Sequence, residues 1–212
     1  MPNIKIGGFN YRLPIKSFAS DLMIVKDQKV YKNADFIKTT LEESVEKYSR
    51  LLRDEVKEHL CIFQPDGNLL YKIEGGKYST ITPNEVDADL AGNILFHNHP
   101  MVQSFSPNDI KTTCFYNAKK SYVVDQKYRY SIERSSGRNL DQGTWDDIEY
   151  LYNNAFNKTQ EELKNLDELT YRELLHHLTW QKIFSTNHTN IIYTVEKLQP
   201  NGEYVKYFQT KK

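Results

Sequence analysis

Asn93-Ile94-Leu95-Phe96-His97-Asn98-His99-Pro100 is the stretch on which the fold turns. Its continuous apolar run reads as a buried strand, and Pro100 stops it because proline has no N–H to give a ladder. Side chains at i and i+2 of a strand point the same way, so His97 and His99 face one site from the strand's C-terminal end. Downstream, Ser106-Pro107-Asn108-Asp109 is a helix start, with serine at the cap and proline at the first helical position. That helix is expected to run to about Lys119, followed by strands near 121–125 and 128–134 that Ser135-Ser136-Gly137 closes. Upstream, Leu60–Phe63 and Leu69–Ile73 flank Pro65-Asp66-Gly67-Asn68, which predicts a hairpin beside the histidine strand.

Further out the period changes. Ile37, Leu41, Val45, Tyr48, Leu52 and Val56 recur at steps of three and four, predicting a long helix from Asn33 to about Lys57. Residues 1–31 read as short extended pieces broken by Gly7-Gly8 and Pro14. Pro83-Asn84-Glu85-Val86 resembles the first turn of a short helix. Thr144 is expected to cap a helix beginning at Trp145, and Thr170 with Glu173 to form a capping box for another. Asn201-Gly202 between Ile191–Leu198 and Tyr204–Gln209 predicts a closing hairpin. The order predicts an α/β (α+β) fold, a mixed β-sheet flanked by helices. Three parts are expected: an extended segment 1–32, a core 33–160, and a helical and hairpin extension 161–212 packed on that core.

Composition sets the outer bounds. The chain of 212 residues carries 28 basic and 28 acidic side chains, a zero net charge that disfavours a dedicated nucleic-acid binder. Basic residues concentrate in 101–140 and acidic ones in 141–175, either as a substrate surface or as two solvated helix faces. No apolar run approaches the ~18 residues of a membrane helix, and Met1–Gly8 lacks a signal-peptide pattern, so a cytoplasmic protein is expected. Two cysteines, Cys61 and Cys114, make neither a disulfide framework nor a four-cysteine zinc site, and both read as core.

Two imidazoles on one face are a natural start for zinc, and Asp109 lies one short loop away. Two histidines, one aspartate and an open fourth position make a catalytic type of zinc site. Asp109 has a second reading, as the acid of a capping box with Ser106, favoured by the helix dipole. The two roles are compatible. A general base is also needed, and Glu55, Glu58 and Glu74 are the candidates that the residues alone leave open.

Phe96-His97-Asn98-His99-Pro100 followed by Phe105-Ser106-Pro107-Asn108-Asp109-Ile110 resembles the JAMM motif of the JAB/MPN metalloproteases. There the order is a distant Glu, then H-x-H-P, then S-x-x-D. The nearest flavour is that of bacterial and phage JAB-like domains, including RadC-like ones. The likeness runs from about Glu58 to Gly137 and implies a three-layer fold. It implies Zn²⁺ held by His97, His99 and Asp109, with Ser106 helping to hold the water and the tetrahedral intermediate. It favours Glu58 as general base, eight residues before Asp66, as in RadC-like sequences. One departure stands out: nine residues separate His99 from Asp109, one fewer than the commonest spacing of the motif.

The activity so implied is hydrolysis of a peptide or isopeptide bond, in a protein or peptide substrate that includes ubiquitin-like conjugates. Two other readings compete: a JAB-like scaffold with a degenerate site, and a RadC-like DNA-associated role that the zero net charge weakens. A zinc deaminase is disfavoured, since no H-x-E precedes a P-C-x-x-C. His59 is expected on the opposite strand face as a surface or satisfied histidine. His176 and His177 are expected to be solvated on a helix. Tyr122, Tyr128 and Tyr130 read as alternating strand packing rather than a base-stacking patch.

Overall fold

The computed structural model describes residues 4–6, 9–11, 29–32, 39–76, 86, 89–186 and 189–210. Its centre is an eight-stranded mixed sheet in the order β10-β9-β8-β7-β6-β4-β5-β3. The strands are β3 (Lys29–Lys32), β4 (His59–Phe63), β5 (Leu69–Glu74), β6 (Ile94–Asn98), β7 (Lys120–Val124), β8 (Tyr128–Arg134), β9 (Ile191–Leu198) and β10 (Tyr204–Gln209). A separate hairpin pairs β1 (Ile4–Ile6) with β2 (Phe9–Tyr11). Within the eight-stranded sheet, β6 and β7 run parallel and the other neighbours antiparallel. The fold is thus α+β with a mixed sheet, as the order of elements predicts. At the two ends of that sheet, β3 pairs with β5 and β10 with β9.

Four helices are described: α1 (Leu41–Leu52), α2 (Pro107–Phe115), α3 (Gln142–Leu163) and α4 (Glu168–Phe184). Alternation along the strands decides which face each covers. Val45 and Leu52 of α1 pack on Cys61, Phe63, Ile94, Phe96 and Val124, the odd-and-even partners that point to one side. The opposite side carries Val123, Tyr130, Ile132, Tyr193 and Val195. There it meets Ile110 and Cys114 of α2, Trp145 and Ile148 of α3, and Trp180, Ile183 and Phe184 of α4. Two fully buried tryptophans in that layer account for much of its apolar burial.

Several boundaries differ from the sequence-based expectation, each for a local reason. The helix expected over 33–57 is shorter, because Thr40 and Glu43 close a reciprocal capping box and the helix ends at Leu52. Val56 therefore lies beyond it and is 73% exposed, while Ile37 lies outside the described residues. Helix α2 ends at Phe115 rather than near Lys119, since Asn117 takes a left-handed φ of 52° and Lys119 already bonds Asn93. Asp141, not Thr144, caps α3, and Asp167, not Thr170, caps α4. The Pro83–Val86 turn lies outside the described residues except for buried Val86, as do Gly7-Gly8 and Pro14.

The Pro65–Asn68 turn has a tight constraint. Gly67 has φ +97°, and a Cβ there would sit 2.4 Å from the Thr40 carbonyl carbon. Only glycine fits both the backbone and the contact. The Gly67 carbonyl accepts a 2.7 Å hydrogen bond from Ser44, fixing the β4–β5 hairpin to α1. No helix among the described residues is long and apolar enough to cross a membrane.

Candidate metal centre

His97 is near the C-terminal end of β6, in register with Leu60 of β4 and Val123 of β7. The ladder formally stops at Asn98, but the His99 amide still donates to the Val124 carbonyl at 2.9 Å. That extra bond keeps the chain extended past the strand, so both imidazoles stay on one side. Their Nε2 atoms are 3.2 Å apart. Opposite them stands Asp109, the third residue of α2. Its Oδ1 is 3.6 Å from His97 Nε2 and its Oδ2 is 3.4 Å from His99 Nε2.

A Zn²⁺ ion with ligand bonds of about 2.0–2.1 Å in a tetrahedron separates its donors by about 3.3–3.4 Å. The two imidazole nitrogens, 3.2 Å apart, are close to that spacing; each approaches a different Asp109 oxygen, at 3.6 and 3.4 Å, and one ligand atom from each of the three residues lies within 4.8 Å of the others. Orientation fits as well. His99 Nδ1 lies 3.0 Å from the Gln103 carbonyl, which can only accept, so Nδ1 donates there and Nε2 is the nitrogen turned towards the group. Among the described residues these three form a group able to hold a metal ion.

The capping role of Asp109 coexists with this one. Asp109 Oδ2 accepts the Ser106 amide at 2.6 Å, and the Asp109 amide donates to Ser106 Oγ at 3.2 Å. Thr113 adds a 2.7 Å bond to the Asp109 carbonyl. The capping box thus aims the carboxylate at the histidines, and the loop 100–108 spans the distance despite its short length.

Electrostatically the group is a cation site. Burial lowers the His99 pKa, yet the Asp109 carboxylate overrides it and pushes His99 up to about 9. Burial raises the Asp109 pKa, but His97 and His99 hold it well below the usual carboxylate range. A divalent cation would take over the stabilisation that protonated imidazole gives this carboxylate.

Glu58 lies just before β4, half-buried, with its backbone bonded to Gly75 and Gly76 of the partner strand. It lines one cavity of about 70 Å³ together with His97, Asp109, Thr112 and Ser121. Glu55 instead faces His59 at 3.9 Å, and Glu74 faces Lys72 at 3.9 Å. The three glutamates that the residues alone left equivalent are therefore separated in space.

No family model matches the chain, and neither does any curated protein or solved structure.

Two residues around the site had no clear signal in the sequence. Asp125 is fully buried and accepts the amides of Gln103, Lys127 and Tyr128 at 2.7–3.1 Å. Burial pushes its pKa up to about 6 even so. Through Gln103 it braces the loop whose carbonyl orients His99. Trp180 of α4 braces the same loop from the other side, its indole donating to the Phe105 carbonyl at 2.6 Å. A strand-end aspartate and a helical tryptophan are too common for their spacing alone to reveal this.

The remaining histidines need correction. His59 does face away from His97, but it is buried, and neither ring nitrogen has a hydrogen bond among the described residues. Burial lowers its pKa. His176 and His177 are half-buried rather than solvated, because α4 packs against both α3 and β9. His176 sits against Phe156, and His177 Nδ1 lies 3.0 Å from the Tyr193 hydroxyl. Burial pushes both down to about 4. Both cysteines are buried and free. Tyr122 packs near Phe96 on the α1 side, whereas Tyr130 belongs to the opposite layer, so the tyrosines form no common stacking surface.

Proposed function

We propose that this chain is a JAMM-type, zinc-dependent metallopeptidase that hydrolyses a peptide or isopeptide bond. The observation that carries the reading is the convergence of His97, His99 and Asp109, with ligand atoms within 4.8 Å of one another and an orienting carbonyl behind His99. Zn²⁺ in that triangle supplies the Lewis acidity that makes water a nucleophile at neutral pH. Glu58, in the same cavity, takes the proton from the attacking water and returns it to the leaving amine, a role worth roughly 10²–10⁴-fold. Ser106 accepts the Asp109 amide and donates its own hydroxyl proton to the oxyanion. Asp109 is kept charged and aimed by its helix cap. A protein or peptide fits as substrate, ubiquitin-like conjugates among them, because hydrolysis of an amide bond is what this donor set and base perform.

The test is metal content by mass spectrometry of the purified protein, beside His97→Ala, Asp109→Ala and Glu58→Gln. About one zinc per chain is expected, lost in the first two variants and kept in the third. Glu58→Gln is then expected to lose hydrolysis of isopeptide-linked and linear peptide probes. Folded protein that takes up no zinc when the ion is added back would overturn the reading and leave a binding scaffold.

A further inference from the structure

A second cavity lies on the same face of the sheet, between α4 and strands β8–β10. It shares a cross-sheet row with the metal group: His97 is in register with Val123, Val123 with Tyr130, and Tyr130 with Val195. At a strand spacing of about 4.8 Å, Tyr130 is roughly 10 Å from His97 along that row. The cavity holds about 380 Å³, within the range of small-ligand clefts, which runs from about 300 to 1,000 Å³.

Its walls are aromatic. Tyr128, Tyr130, Tyr207, Phe208 and His177 line it, with ring centroids 5.8 Å apart for Tyr128–Tyr130 and 6.2 Å for Tyr128–Tyr207. His177 is 6.1 Å from Tyr130 and 6.3 Å from Phe208. Tyr130 is 1% exposed, and its hydroxyl has no hydrogen-bond partner among the described residues. Among the described residues that line it, Glu173 is the one formally charged side chain. Glu173 already attracts an ammonium, since Lys127 Nζ reaches it at 2.6 Å from outside the cavity. That lysine is 53% exposed, so water screens the pair and a desolvated cation in the cavity can compete for Glu173. Tyrosine rings and one carboxylate around a partly open cleft favour a bulky, weakly hydrated cation over a neutral or anionic guest.

We propose that this cavity binds an alkylammonium group, with Tyr128, Tyr130, Tyr207 and Phe208 around the cation and Glu173 as its counter-charge. The group can come from a free quaternary amine or from a methylated lysine side chain. The inference does not rest on the hydrolase reading, because none of the metal-binding residues lines the cavity.

The experiment is titration of the whole chain by calorimetry and aromatic NMR. The probes are tetramethylammonium, choline, a trimethyllysine peptide, the same peptide unmodified, and 3,3-dimethylbutanol as neutral isostere of choline. Binding of choline or of the trimethyllysine peptide, with shifts at Tyr128, Tyr130 and Phe208, is expected. Which of the two binds more tightly assigns the source. Glu173→Gln should weaken binding about tenfold, and Lys127→Ala should tighten it a few-fold for the cation and leave the isostere unaffected. Equal binding of the isostere and choline, or no binding by any cationic probe, would overturn the proposal. So would cation affinity that ignores both substitutions.

Discussion

Asn98 holds the backbone on either side of Glu58. The Asn98 carboxamide accepts the His59 amide at 2.8 Å and donates to the Lys57 carbonyl at 3.0 Å, gripping the backbone on both sides of Glu58. Asn98 is fully buried and sits between the two candidate metal ligands His97 and His99. One side chain therefore sets the distance between the metal group and the proposed base.

Asn98→Ala should separate metal binding from catalysis. The His59 amide loses its partner, at a cost of about 1–3 kcal/mol. Zinc content should stay near one per chain, because His97, His99 and Asp109 keep their own supports. Turnover should fall roughly 10²-fold through misplacement of Glu58. Metal analysis, a denaturant melt and a peptidase assay on one preparation check this, and full activity in the variant would show that the clamp is not needed.

Asp109→Asn and Ser106→Ala should divide the two roles of the α2 cap. Asparagine can still accept at the cap, so the first variant should melt near the wild type yet lose most of its zinc. Alanine at position 106 removes the acceptor for the Asp109 amide and should cost about 1 kcal/mol, with weaker but measurable zinc retention. Chelator competition followed by thermal melts separates these outcomes.

Much of the fold was legible because its signals are local. The Asn201-Gly202 turn, the Ser106-Pro107 helix start and the strands on either side of each depend on a few neighbouring residues. The donor triangle was legible for the same reason, since period two along β6 and one capping box place all its members. What escaped was tertiary or competitive. Thr144 and Thr170 looked like caps, but Asp141 and Asp167 stand three residues earlier and offer a carboxylate to the helix dipole. The half-burial of His176 and His177 and the full burial of Asp125 depend on tertiary packing around the sheet, which no local pattern encodes.

His177 should make the fold sensitive to acid. Its pKa is about 4 in the folded chain against about 6.5 unfolded, so between those values the unfolded chain binds more protons. The stabilisation is complete above pH 6.5 and is lost as pH falls through 4, to an extent of about 3 kcal/mol. Asp125 titrates in the same range with the opposite sign, so the quantity to measure is wild type minus His177→Gln at each pH. The wild-type advantage at pH 7 should shrink steadily towards pH 4, and a constant difference would refute it.

Trp180→Phe should loosen the site from a distance. The Phe105 carbonyl loses its indole donor, costing about 1–3 kcal/mol, and the loop that presents Gln103 to His99 relaxes. Zinc affinity should drop about tenfold, the scale typical of supports behind a metal ligand. Competition with a zinc-binding dye reads the change directly.

The donor triangle and the proposed base also differ in how the chain must fold to assemble them. His97, His99 and Asp109 belong to one stretch of strand, loop and helix, whose closure costs little entropy. Glu58 reaches them only when β4 pairs with β6, a contact fixed across 39 residues by the His59–Asn98 bond. On the proposed reading, a nascent or partly unfolded chain sequesters zinc before it can cut anything, and the proposed peptidase is complete only once that long-range pairing has formed.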